Sequence, residues 1–256
     1  MTSQTNYLDL GTDKIRNLDA DAQGGFIAFT DNRKVITNDH SLSIDLEVRF
    51  PIIRRLNDDT FLIVDCRARN SANGHIYNFV GQKTKSFVVG DGVEDVVVHH
   101  RKIIATYFDE GVFGAKGPNN DGVAVFDFEG NQVFGYNSSA IGEFIVDCYC
   151  IGKYENNSVL FYPYSEFKLY KLNLETLQIK AYETPDDLQG TSAISSKGNK
   201  IILHWGNADK DNFFFWDKAN NKIEIIGTYR AKLKGIENGK FLGFDDKGYT
   251  IVDPTE

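Results

Sequence analysis

Carboxylates crowd one stretch of this chain. Glu94, Asp109, Glu110, Glu143 and Asp147 stand between and inside its central strand patterns. A hard divalent cation such as Ca²⁺ takes about six to eight oxygen ligands, and these come from separated chain segments. A cation held by Glu94, Asp109, Glu110 and Asp147 would polarise a carbonyl and activate water, the chemistry of a metal-assisted lactone or ester hydrolase. The plain alternative is a set of solvated turn residues in an acidic chain.

A second constellation is Arg67, Arg69 and His75. Two arginines at i and i+2 on a strand or its exit point the same way, and such a pair grips carboxylate or phosphate through forked N–H donors. The alternative pairs them with Asp65 or with a carboxylate of the next repeat. A third group is aromatic: Tyr107, Phe113, Tyr149, Tyr162, Tyr164 and Trp205. Tyrosine and tryptophan at a rim anchor sugars, bases or peptides, although most aromatics of such a chain must pack in its core. His204, beside Trp205, has the pKa range for acid–base work, and a core role competes. Cys148 and Cys150 on one strand would share a face, as a soft-metal pair, as a strained disulfide or as two small strand residues. The chain carries no phosphate loop, no nucleophile elbow, no His-Glu-x-x-His and no Cys-x-x-Cys.

The whole-chain numbers narrow the partners. With 28 basic and 36 acidic residues the net charge is −8, which opposes nucleic-acid binding by counterion release. Residues 1–6 lack the basic and apolar regions of a secretory signal, and no apolar run approaches the roughly 20 residues of a membrane helix. An odd cysteine count of three suits reduced thiols, and the expected location is cytoplasmic.

The elements that position these residues are strands. Val, Ile, Phe and Tyr recur in short runs broken by Gly, Asn and Asp, and helical periodicity is nearly absent. Strongly apolar runs begin at Phe26, Phe61, Ile103, Val159, Ile201 and Phe241, spaced 35, 42, 56, 42 and 40 residues apart, with 41 around the chain ends. A second series (Asn38, Asn78, Asp127, Asn173, Asp217 and Asp253) marks the turns between outer strands, where Asx side chains hydrogen-bond backbone two residues on. Multi-stranded repeats of about 40–45 residues are propeller blades. The predicted fold is all-β, a six-bladed β-propeller forming one domain over residues 1–256, with an N-terminal strand at 6–10 completing the last blade. A pair of β-sandwiches would not explain the spacing.

The runs GDGVED at 90–95, YFDEGVFG at 107–114, DCY at 147–149 and YPYSEF at 162–167 resemble a family of uncharacterised bacterial β-propeller proteins. That resemblance implies the fold and carries no activity with it. In such a fold, between-blade segments and the turns joining second to third strands share one mouth, which is where loops carry function. The expected ligand-binding residues there are Arg67, Arg69, His75, Tyr107, Tyr164, His204 and Trp205. The expected function is a recognition or scaffold module for a protein partner or a small polar ligand, without catalysis, nucleic acid or membrane. The alternative is the metal-assisted hydrolase.

Overall fold

Six four-stranded antiparallel sheets stand around a central channel. The computed structural model describes residues 1–68, 71–139, 142–164, 167–207 and 210–256, with Asn207 and Lys210 as backbone only. Strand β1 (Thr2–Tyr7) opens the chain. Blade 1 follows as β2 (Ile15–Ala20), β3 (Phe26–Thr30), β4 (Lys34–Thr37) and β5 (Ser41–Ser43). Blade 2 is β6 (Pro51–Arg55), β7 (Thr60–Asp65), β8 (Gly74–Asn78) and β9 (Lys83–Phe87). Blade 3 is β10 (Val93–His99), β11 (Lys102–Tyr107), β12 (Val123–Phe126) and β13 (Gln132–Gly135), with a short helix α1 (Asp109–Val112) in its upper loop. Blade 4 is β14 (Cys148–Tyr154), β15 (Ser158–Pro163), β16 (Leu169–Asn173) and β17 (Ile179–Tyr182). Blade 5 is β18 (Ala193–Lys197), β19 (Lys200–Asn207), β20 (Lys210–Asp217) and β21 (Lys222–Thr228). Blade 6 is β22 (Lys234–Gly235), β23 (Phe241–Phe244) and β24 (Gly248–Asp253), and β1 pairs with β24 as its outermost strand.

The expected closure is therefore present, but its strand is Thr2–Tyr7 and not 6–10. All six residues of β1 pair with β24, from Thr2 opposite Asp253 to Tyr7 opposite Gly248. The apolar Leu10, which made 6–10 look strand-like, is buried in the core between blades 6 and 1. The polar run of β1 suits an exposed outer strand.

The core consists of six hydrophobic clusters, one at each junction between neighbouring blades. Second strands are buried on both faces. Phe61 and Ile63 of β7 pack toward blade 1, whereas Leu62 and Val64 pack toward blade 3. This is why these strands read as unbroken apolar runs and not as alternating ones. The Asx series also performs as expected at four of its six positions, whereas Asp253, though it caps a turn in the same way, ends β24 with no outer-strand hairpin after it. The side chains of Asn78, Asp127, Asn173, Asp217 and Asp253 each accept backbone N–H groups two to four residues on. Asn38 instead accepts the N–H of Phe26 at 2.9 Å.

Candidate functional site

The between-blade segments and the second-to-third-strand turns lie on one face, here called upper, where each innermost strand begins. Three innermost strands start with a register shift: Ile15/Asn17 in β2, Val93/Asp95 in β10 and Cys148/Cys150 in β14. A bulge leaves one residue unpaired and re-aims its side chain. The skipped residues are Arg16, Glu94 and Tyr149, and all three are exposed. The third shift also parts the cysteines. Cys148 packs between blades 3 and 4 and Cys150 between blades 4 and 5, so they do not share a face. All three thiols are free, and burial raises those of Cys148 and Cys150.

The upper loop of blade 3 is a built platform. Asn119 Nδ2 donates to the carbonyls of Gly111 (2.6 Å) and Ala115 (2.9 Å), and Asn120 Nδ2 donates to that of Val112 (2.8 Å). Gly92, at φ +68°, lies so close that a Cβ would stand 2.5 Å from Gly111 Cα, a position only glycine fills. The segment leading into blade 4 is tied to this platform. Asn137 Nδ2 donates to Asn120 O and Ile145 O, both at 2.9 Å. Phe113 from the platform and Phe144 from the segment stack with ring centroids 6.2 Å apart. Beside them, Tyr149 and Tyr164 meet edge-on at 5.6 Å.

These rings belong to a wider pattern. Seven aromatic side chains are exposed among the described residues: Tyr7, Phe50, Phe113, Phe144, Tyr149, Tyr164 and Phe244. All seven sit on the upper face or its outer edge, as the strand registers require. Phe50 is placed by Asp65, whose carboxylate accepts the N–H groups of Arg49 (3.2 Å) and Phe50 (3.3 Å).

Asp147 lies among the blade-4 rings. It is 8% exposed, and its Oδ1 has no hydrogen-bond partner among the described residues. Burial pushes its carboxyl up to about 6, the charge of Asp109 adds to this, and Tyr149 and the Cys148 backbone oppose it. Tyr149 is raised to about 12 by burial, then by Asp147 and, more weakly, Asp109. Glu94 opens toward the same place. Partial burial raises it, Lys232 opposes, and Asp95 and Asp147 add to the rise.

Inward of these groups, a cavity of about 360 Å³ at the channel mouth is lined by Asn17, Arg54, Glu94, Asp95, Tyr149 and Phe244, among others. Below it the channel is crossed by ion pairs between blades: Arg54–Asp95 at 2.5 Å, Lys234–Asp19 at 2.6 Å, and Lys153–Glu237. Burial would raise Asp19, but the charges of Lys234 and Arg54 and the Lys234 hydrogen bond hold it down at about 2.

The sequence-predicted site residues separate into three groups. Glu94, Asp109, Asp147 and Tyr164 come together at the upper mouth. Glu110 turns away and pairs with Arg67 at 2.7 Å. The four carboxylates expected to share one cation are thus divided, and no group of three or more His, Cys, Asp and Glu among the described residues is placed to hold a metal ion. Arg67 takes the plain alternative: it also meets Asp91 at 3.3 Å and covers the Phe108 ring. Its two carboxylate partners neutralise the expected anion grip, and Arg69 lies outside the described residues. The third group sits inside the blades. Tyr107 is fully buried, and its hydroxyl donates to Val89 O at 2.6 Å, stapling blade 3 to blade 2. His204 is equally buried, packed on Phe213 and hydrogen-bonded to Tyr229 O at 3.0 Å. Trp205 is partly buried against Phe214. His75 bonds Ser86 at 2.8 Å on the outer part of blade 2, away from the mouth. Sequence reasoning passed over Phe50, Phe144 and Phe244, isolated aromatics whose neighbours carry no motif.

No protein family and no curated protein matches the chain in sequence. Solved structures do match in shape. A catalytically inactive virginiamycin B lyase from Staphylococcus aureus, solved with quinupristin, superposes with TM-score 0.54 at 12% identity, over 98% of this chain and 99% of that one. The extracellular domain of a putative one-component system from B. thetaiotaomicron gives 0.59 at 10%, covering 99% of this chain and 34% of that one. The β-propeller domain of Cps50 from Myceliophteria thermophila gives 0.57 at 8%, covering 93% and 82%. At such identities the likeness extends to the propeller fold alone. Among the described residues no helix is long and apolar enough to cross a membrane.

Proposed function

We propose that this propeller is a recognition module that binds a protein partner across its upper face. The observation that carries this reading is the one-sided distribution of exposed aromatics, all seven on the upper face or its edge. Exposed aromatic side chains clustered on a rigid face are the usual anchors of protein recognition. Their loops are fixed by side-chain hydrogen bonds, which lowers the ordering cost of association. The solved propellers of similar shape include an enzyme, the virginiamycin B lyase, beside the extracellular domain of a putative one-component system and the Cps50 propeller domain, so the reading rests on the face itself and not on them. The carboxylates that a hydrolase would gather on a metal are divided here between Arg67 and the blade-4 rings.

The test is site-specific photo-crosslinking in the source cells. A crosslinking amino acid replaces Phe113 or Phe50 on the upper face, or Val80 or Asn199 on the lower. The expected result is a discrete adduct of one mass from the upper positions and none from the lower. Equal labelling from both faces, or no upper-face adduct, would overturn the reading.

A further inference from the structure

All six blades contribute to the cavity at the channel mouth. Its lining comes from β2, β6, β10, β14, the strands of blade 6, and Ser192 just ahead of β18. At about 360 Å³ it is large enough for a small molecule, since such sites run from about 300 to 1,000 Å³.

Most of the charge on its wall is already engaged. Arg54 is paired with Asp95, and Lys234 with Asp19. Glu94 and Lys232 are left over. They stand on blades 3 and 6, which lie opposite one another in a ring of six. Both residues are exposed. The charge of Lys232 reaches Glu94, yet neither side chain makes a hydrogen bond or an ion pair with any described residue. The register shift at the start of β10 is what turns Glu94 out of the ladder. Asn17, on the blade next to Lys232, is only partly used. Its Oδ1 accepts from Ile53 N at 3.0 Å and from Arg54 Nη1 at 3.3 Å, while its Nδ2 donates to no described residue.

The cavity thus has two poles. Glu94 and the ring of Tyr149 form an acidic one, and Lys232 with the Asn17 amide forms a basic one. Between them the wall is apolar, with Leu18, Ile52, Leu242 and Phe244. The charges of Arg54, Lys232 and Lys234 balance those of Glu94, Asp95 and Asp19, so the cavity calls for no net charge on its ligand. It calls for separated charges. An ammonium is attracted both by a carboxylate and by an aromatic face. A carboxylate accepts from an ammonium and an amide. An apolar group between the two would displace water from an apolar wall.

We infer that the channel-mouth cavity binds a small zwitterion of the amino-acid class, with its ammonium at Glu94 and Tyr149, its carboxylate at Lys232 and Asn17, and an apolar side chain against Leu242 and Phe244. The inference goes beyond the reading of the upper face as a protein-binding surface and does not depend on it.

The experiment titrates the ¹⁵N-labelled full chain with glycine, L-leucine and L-phenylalanine, and with two blocked forms of leucine. N-acetyl-L-leucine lacks the ammonium, and L-leucinamide lacks the carboxylate. Leucine or phenylalanine should shift the backbone amides of Glu94, Ser192 and Leu233 saturably, with a dissociation constant of the order of millimolar or tighter. Glycine, without an apolar side chain, should bind more weakly than either. Each blocked form should bind at least about tenfold more weakly than leucine, the loss of one charge-assisted contact. Glu94→Gln should weaken leucine by a similar factor and leave N-acetyl-leucine unchanged. Lys232→Met should do the same to leucine and leave leucinamide unchanged. Thermal melts establish that both variants are folded. Equal binding of N-acetyl-leucine and leucine would assign the cavity to an anion, and equal binding of leucinamide and leucine would assign it to an organic cation. Either result overturns the inference. So does the lack of a saturable shift with all three amino acids up to tens of millimolar, or leucine binding that neither variant weakens.

Discussion

A buried acid with an unpartnered oxygen should announce itself in stability before any ligand is known. The Asp147 carboxyl titrates near 6, above its ordinary 3.8. Between those values the folded protein holds a proton that the unfolded chain has released, so stability falls as pH rises through that window. At pH 7 the full penalty is present. Asp147→Asn should therefore stabilise the fold at pH 7 by about 1–2 kcal/mol, and by nothing below about pH 4. Melting curves at the two pH values check this. Arg54 stands at the opposite extreme. It is 4% exposed, and its guanidinium is bonded to Asp95, Val96 O, Ile53 O and Asn17. Arg54→Met strands Asp95 in the channel and should cost about 3–5 kcal/mol, most of it recovered when Asp95→Asn is added. Denaturant midpoints of the single and double variants decide it. The sequence singles out Asp147 only as one of four candidate cation ligands, and it does not single out Arg54 at all. The partner of Arg54 lies 41 residues away on another blade, and an acid beside Cys148 gives no sign of what fails to reach its oxygen.

At the scale of elements the sequence was far more informative. Every blade needs a second strand buried on both faces, so each repeat carries one unbroken apolar run, and the spacing of Phe26, Phe61, Ile103, Val159, Ile201 and Phe241 counts the blades. What spacing does not convey is register. The closing strand was placed four residues late, because Leu8 and Leu10 look more strand-like than the polar residues 2–7 that do the pairing. Nor do bulges leave a trace, and the bulge in β14 aims Tyr149 at the mouth and parts Cys148 from Cys150. The closure itself is open to test. Adjacent residues of an antiparallel strand direct their N–H groups to opposite sides, so replacing both Gln4 and Thr5 by proline must delete a hydrogen bond to β24. The double variant should lower the melting temperature and expose the β24 edge to self-association, read by calorimetry and light scattering.

The whole molecule is two-sided. Its upper face carries the exposed rings, and its channel is crossed by ion pairs that tie blades 1, 2, 3, 4 and 6 together. Phe113→Ser combined with Phe144→Ser should leave the melting temperature within about 2 °C, since both rings are exposed, yet weaken partner capture at least tenfold, as for anchor residues worth about 2 kcal/mol. Quantified crosslinking yield distinguishes the two effects. The channel pairs set the acid limit. Asp19 is held at about 2, below its ordinary 3.8, so its contribution is present above about pH 4 and is lost as pH falls toward 2. Asp19→Asn should destabilise by about 1–2 kcal/mol at pH 7, and the effect should shrink to about 0.4 kcal/mol at pH 2, where the folded carboxyl is half protonated.

The pairing of β1 with β24 also orders events in time. Thr2–Tyr7 leaves the ribosome among the first residues of the sequence, and its partner strand follows after about 240 more, roughly 10–50 s later at cellular rates of synthesis. Throughout that interval five blades can assemble, while the sixth has no strand to complete. The waiting segment is Thr, Ser, Gln, Thr, Asn and Tyr, without a single aliphatic residue, so it has little with which to hold a wrong neighbour. Its polarity is the property that lets it wait in solution until the ring can shut.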